Sequence, residues 1–464
     1  MSCRYRLHLP IAIFCVLVVL SGTVHQTMAQ TTGGGNVSGA NGVLIDAQGV
    51  LRLQHFPDPG GRLVKERIAQ ARASLNPDVA KSSDMRKVSL NRLEAALADR
   101  LANGQSSTGE MDFLAGLTRV RYVFFYPETR DIVLAGPAEG WAPDASGRIL
   151  GIESGQPTLQ LQDLLVAMRA FPPGKRNGNT ISCSIDPTPE GLARMKQFWQ
   201  SIGRNISPRD TQTIVTGMRT SLGMQNVRIG GVPPSTHFAQ VLLECDYRMK
   251  LIGIGLEQPP VRMASYVDRA RPTKSTSALQ RWYFVPDEKC ARIAADGMGL
   301  ELVGDGVKLV SEAQAVATDG TRAASRKKDK ASELFCQAFT AKYSEIADRL
   351  PVFAEMRNMI DLAIAAAFIN EQDFYAQSDW RAETFRNEQV TSVENETTPL
   401  HVESVCTAVF KGNRLYTPVG GGVTIRARDA LRYQNALPDE DGQVTQLRQS
   451  IDLKDLPADR WWWD

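Results

Sequence analysis

The sequence predicts an α+β protein: a mixed α/β layered N-terminal and central part, then a C-terminal part of short strands and a buried helical pair. Three observations predict this. Over residues 179–256, extended apolar runs alternate with amphipathic helical stripes. Beyond 278, short runs are punctuated by Asp296-Gly297, Asp305-Gly306 and Asp319-Gly320 turns. Residues 352–369 are apolar nearly all round toward their end, the pattern of a helix with neighbours on every side.

Taken in order, residues 43–45 and 50–53 read as strands about an Asp46–Gly49 turn. Residues 62–75 and 90–101 read as helices, the second with Ser89 as N-cap and Gly104 just past its end. Strands are expected at 120–126 and 131–135, and a helix at 159–170 with Leu161, Leu164, Leu165 and Met168 on one face. Pro172-Pro173-Gly174 ends it. After a strand at 179–185, Thr188-Pro189 and Ser207-Pro208 each open a helix, because proline is tolerated at the first helical position. A strand at 226–232 leads to a helix capped by Ser235 and carrying Phe238, Val241, Leu242, Cys245 and Met249, followed by a short strand at 251–256. Residues 257–278 read as a linker, with Pro259-Pro260, Pro272 and a Thr/Ser-rich run. Phe335, Phe339, Tyr343, Ile346 and Leu350 make one helical stripe, broken by Pro351 before the apolar helix. Strands return at 402–410 and 422–426, and a polar tail ends in Trp461, Trp462 and Trp463.

These readings divide the chain into a signal peptide (1–29), a Gly-rich tether (30–42), a mixed α/β part (43–256), the linker (257–278), an α+β part (279–436) and the tail (437–464). A chain of 464 residues is long for one ordinary core, which is why two folded parts are expected. The signal-peptide reading rests on the order of physical properties: Arg4 and Arg6, an apolar run over 11–20, then small residues ending Thr27-Met28-Ala29. The ten apolar residues fall short of the ~20 that a spanning helix needs, so cleavage is expected rather than anchoring. A secreted, periplasmic or cell-envelope location follows.

Cleavage would remove two arginines and no acids, leaving 51 basic and 51 acidic side chains. That balance draws the protein to neither nucleic acid nor an anionic membrane. No second segment is long and apolar enough to span a bilayer, so no membrane span is expected once the signal is cleaved. Five cysteines would remain, Cys183, Cys245, Cys290, Cys336 and Cys406, too widely spaced for a zinc motif or a dense disulfide framework. Their connectivity is open at this level, and Cys245 and Cys336 read as small buried hydrophobes.

The segments 227–257, 350–369 and 420–423 resemble a planctomycete-type family of exported proteins of unknown function, with a looser likeness over 122–426. The resemblance implies a shared fold and an extracytoplasmic location. It transfers no catalytic residue.

Phosphate-loop, dinucleotide, nucleophile-elbow, His-Glu-x-x-His and Cys-x-x-Cys motifs are absent, so no cofactor and no metal is expected. The candidate site residues are His237 and Glu244, seven apart on one helix and therefore on one side of it, and Asp186 at a strand end. Against a role, His237 and Glu244 sit at the edge of an apolar face, and Arg248 lies four residues beyond Glu244 in the favourable order for a helix ion pair. The three tryptophans could dock a protein partner or stack on a glycan, or fold back on the chain. The function expected from these features is a structural or interaction role in the periplasm or cell envelope. The alternatives are a secreted hydrolase-type enzyme with an unrecognised site and a carbohydrate-binding module.

Terminal sequencing of the exported protein should find a chain beginning at Gln30. A secreted chain that still begins at Met1 would contradict the signal-peptide reading.

Overall fold

The computed structural model describes residues 39–175, 179–202, 207–270, 278–316, 322–324, 329–407, 409–410, 415–416, 420–453, 456–457 and 459–464. The expected signal peptide, most of the tether and the Asp319-Gly320 turn lie outside the described residues. The architecture is α+β. Two large sheets carry it, and both draw strands from each side of the expected linker.

The nine-stranded sheet runs in the order Gly39–Ile45, Val50–Pro57, His401–Glu403, Met224–Gly230, Ile181–Pro187, Gly421–Ile425, Ala278–Pro286, Val307–Val316, Arg322–Ala324. Its neighbours are antiparallel except at the Val50–Pro57/His401–Glu403 and Gly421–Ile425/Ala278–Pro286 junctions, which are parallel. The seven-stranded sheet runs Leu437–Pro438, Ala291–Ile293, Gly299–Leu302, Tyr122–Tyr126, Asp131–Ala138, Ser83–Ser89, Trp462–Trp463. Residues Ser38–Asp464 accordingly form one compact unit. This corrects the expected division at 257–278. Of the expected linker, residues 271–277 lie outside the described residues and Tyr266–Arg269 is a short helix, while strand Gly421–Ile425 pairs with strands from both sides of it and joins them in one sheet.

Several local expectations hold with shifted boundaries. The first hairpin pairs Ile45 with Leu51 around the Asp46–Gly49 turn, whose Asp46 carboxylate accepts from the Gln48 and Val50 amides. The tether's last residues, 39–42, belong to its first strand. Ser89 caps Leu90–Ala102 as expected. The cap of His237–Gly253 is Thr236 rather than Ser235, its hydroxyl accepting from the Ala239 amide. The strand expected at 251–256 is instead the end of that helix. Leu251, Ile252 and Ile254 are buried, and the helix stops only where Gly255, at φ +76°, lets the Leu256 amide bond back to the Leu251 carbonyl. The strand expected at 402–410 is confined to His401–Glu403 and the separate pair 409–410.

The tail is also corrected. Gln443–Ser450 is a helix, and its Val444 joins Leu453 and Trp463 against Phe124, Tyr126 and Val133 of the seven-stranded sheet. Trp462 and Trp463 pair antiparallel with Val88 and Lys87, and the Trp461 carbonyl accepts from the Ser89 amide at 2.8 Å. The buried Arg86 guanidinium lies 4.8 Å from the Trp462 ring centroid and donates to the Asp464 carboxylate at 2.8 Å. The three tryptophans are 7%, 8% and 8% exposed, so they fold back on the chain and offer no projecting aromatic surface.

At the centre lies Pro351–Glu371, started by a proline at its first position and buried at every residue from Val352 to Asn370. It packs on Leu161–Ala170, His237–Gly253 and Ala427–Leu431. Ala363, Ala365, Ala366 and Ala367 let those neighbours approach closely, since interiors pack at crystal-like density.

Ala366 is 1% exposed, so Ala366→Asp would bury a carboxylate without a partner and should lower stability by about 4 kcal/mol or more. Paired thermal melts check this, and an unchanged melting temperature would contradict the burial of this face.

Candidate functional site

Four separate segments meet at a pocket of about 390 Å³. The first is the hairpin Trp141–Pro143/Ile149–Gly151. Its turn is cinched by Asp144, whose carboxylate accepts from the amides of Ser146 and Arg148, and this presents Arg148. The second is Leu161–Ala170, which places Asp163 in its first turn, where the helix N-terminus favours negative charge. The third is His237–Gly253, with His237 at its start and Glu244 two turns on. The fourth is Pro351–Glu371, which supplies Glu355. Gly42, Val43 and Phe56 of the first hairpin, with Phe113, line the same space.

The ionisable groups interlock. The His237 Nδ1 lies 2.9 Å from Asp163 Oδ2. Arg148 donates from Nε to Glu355 at 2.7 Å and from Nη2 to Glu244 at 3.0 Å. Arg248 donates to Glu244 at 3.4 Å and, more tightly, to Glu257 at 2.6 Å. The helix ion pair foreseen between Glu244 and Arg248 is thus present, but as one edge of a buried network rather than a solvated pair. Glu244 and Glu355 are 2% and 3% exposed, whereas the His237 side chain keeps 21%.

Burial by itself would lower the His237 pKa. The Asp163 carboxylate outweighs it and holds the imidazole at about 9, so the ring is a cation at neutral pH, with Nε2 left for a ligand. Burial raises the Glu355 carboxyl above its usual range, with the Arg148 and His237 charges pulling it partly back. Such shifts in a cleft mark groups suited to proton transfer.

The structure therefore brings His237 and Glu244 together but leaves Asp186 elsewhere. Asp186 binds Arg281 at 2.8 Å, in a second cluster where Lys250 donates to Asp246 at 2.9 Å and to the Ile185 carbonyl. Burial lifts Asp246 to about 6, against the pull of Lys250. This cluster is packed shut: a Cβ on Gly421 would fall 2.5 Å from the Trp282 carbonyl oxygen and 2.8 Å from Lys250 Cε.

Sequence reasoning missed Asp163, Arg148 and Glu355. For Glu355 a signal was present, because an otherwise apolar helix that carries Glu355, Arg357, Asn358 and Asp361 must find each a partner. Arg148, in a surface-like turn, had none. Among the described residues no group of three or more His, Cys, Asp or Glu side chains is placed to hold a metal ion. The five cysteines are all buried and none is paired with another. No helix among the described residues is long and apolar enough to cross a membrane. A shallower hollow of about 320 Å³ borders Trp461 and Trp462 beside Pro457 and Arg460.

Because the folded-state pKa of His237 is raised, its stabilising contribution is complete below the ordinary histidine pKa and is lost as pH rises through about 9. Asp163→Asn should drop the His237 pKa by roughly 1–3 units, read from its imidazole proton shifts. It should also flatten the fall in stability between neutral pH and about 9. A His237 titration that is the same in both proteins would show that Asp163 does not set it.

A family described as "Protein of unknown function (DUF1598)" matches residues 183–266. The match takes in most of Ile181–Pro187, the helices Pro189–Ile202 and Thr211–Leu222, the strand Met224–Gly230, and His237, Glu244 and Arg248. It supports the likeness to an uncharacterised family at the 227–257 segment, while the segments 350–369 and 420–423 lie beyond it. No curated protein and no solved structure matches the chain. What the comparisons establish is similarity to that uncharacterised family over those residues.

Proposed function

We propose that this is an exported protein, working in the periplasm, envelope or exterior, that binds a small polar ligand in the His237 pocket and can move a proton on it. One observation carries the reading: an Asp163-oriented histidine and two Arg148-bridged carboxylates, delivered by four segments, converge on one cavity. Once buried, each of these charges needs its partner, but apolar residues of the same volume would pack at least as stably, so stability does not call for charges at this place to begin with. A cavity of this size is ordinary for a small-molecule site.

The chemistry follows from the two perturbed groups. The cationic His237 can donate a proton from Nε2. Glu355, held by Arg148 through one oxygen only, can accept one on the other. This is the acid–base pairing a hydrolase-type reaction uses, with water as the second reactant. The interaction role expected from the tryptophan tail has lost its carrier, since those rings are buried.

The test is a set of thermal melts of the mature chain against sugars, amino acids, nucleosides and short peptides. Stabilising compounds should lose their effect in His237→Gln and Glu355→Gln, and keep it when the fully exposed Tyr433 is changed to Ala. A library without a stabilising member, or hits indifferent to both pocket substitutions, would remove the reading.

A further inference from the structure

The hydrogen-bonding groups of the pocket are unequally spent. Arg148 is occupied by Glu355 and Glu244. The Gln162 amide donates to Gln160 at 2.7 Å, the Gln240 amide to Glu396 at 3.1 Å, and the Ser146 hydroxyl to Asp144 at 2.6 Å. The donors still open on the wall are the His237 Nε2–H and the Gln160 amide, for which the described residues offer no acceptor. The open acceptors are the second carboxylate oxygens of Glu355 and Glu396 and the side-chain carbonyls of Gln162 and Gln240, all on groups that line the cavity.

Charge points the same way. Three carboxylates, Glu244, Glu355 and Glu396, line the space, and Asp163 stands behind His237. Two lining cations, Arg148 and His237, oppose them, each already engaged by a carboxylate, and Arg248, outside the lining, is shared between Glu244 and Glu257. Glu396 is exposed at the rim, while Glu355 is almost wholly buried, and Phe56 and Phe113 line the same space. Aromatic faces attract cations through their ring quadrupole.

We infer that the pocket takes a ligand bearing a protonated amine, with the ammonium among Glu355, Glu396 and the two phenylalanine rings. An ammonium brings three donors and no acceptor, the complement of the unspent carboxylate oxygens of Glu355 and Glu396 and of the Gln162 and Gln240 carbonyls. An anionic ligand would find one open cationic donor, the His237 Nε2–H, against the three lining carboxylates. A neutral polyol would satisfy the acceptors but leave the excess negative charge unanswered. A ligand the size of an amino sugar or amino acid suits the volume.

This inference rests on the pocket reading above, and the experiment separates the two. Binding of glucosamine, glucose and glucuronate, and of ethanolamine, ethylene glycol and glycolate, is measured by ligand-detected NMR and calorimetry on the whole mature chain at neutral pH. The amines should bind at least roughly tenfold more tightly than their uncharged and anionic counterparts. The preference should weaken with added salt and vanish in Glu396→Gln, whose exposed position spares the fold, and in Glu355→Gln. A neutral or anionic member binding as well as its amine would overturn the amine assignment yet leave the pocket reading standing. Silence from all six would overturn the assignment too. Amine binding that is unchanged in His237→Gln, Glu355→Gln and Glu396→Gln alike would place it outside the pocket and overturn both.

Discussion

The constraint on which the structure turns is that a charge taken out of water must meet its opposite. Pro351–Glu371 lies in the core with protein on every side, yet its first half carries Glu355, Arg357 and Asp361, each under a tenth exposed. Each is answered from a distant part of the chain: Glu355 by Arg148 at 2.7 Å, Arg357 by Asp305 at 3.4 Å, Asp361 by Arg119 at 2.7 Å. An isolated buried ion would cost several kcal/mol or more. The helix can therefore occupy the core only if the 141–151 hairpin, the Asp305 turn and the residue 119 segment are docked around it.

That dependence explains why the polar groups fall into separate clusters with different characters. Around Asp186, Asp246, Lys250 and Arg281 the glycines of the 420–422 strand let the sheet close onto His237–Gly253, and no space is left for another molecule. Around Arg148 the small hairpin borders a cavity that the same helix also lines. One helix thus has a sealed ion cluster near its C-terminal end and an open one near its start. The open end carries His237, the group held as a cation at neutral pH by a single carboxylate.

The two sheets illustrate how strand pairing overrides chain order. Residues 401–403 insert between strands 50–57 and 224–230, residues 421–425 insert between strands 181–187 and 278–286, and Trp462–Trp463 closes the edge of a strand near residue 88. Segments of two to five residues contribute too little periodic signal to be recognised alone, and they gain their hydrogen bonds only from partners hundreds of residues away. The tail tryptophans read as available aromatic surface for the same reason. Nothing local announces Arg86, whose guanidinium and strand receive them.

What the sequence determined by itself was everything encoded at short range. The first hairpin follows from an Asp–Gly turn, the helix starts from serine, threonine and proline capping chemistry, and the burial of residues 352–369 from apolar groups on all faces. The side-by-side placement of His237 and Glu244 follows from a spacing of seven on a helix. Only the tertiary structure decided that 257–278 joins rather than divides, because sheet membership depends on register between remote strands. Only it decided that Asp163, Arg148 and Glu355 meet His237 while Asp186 does not. A helix has a fixed pitch, so its neighbours are written in the sequence; an ion pair between residues 148 and 355 depends on how the whole chain closes its core.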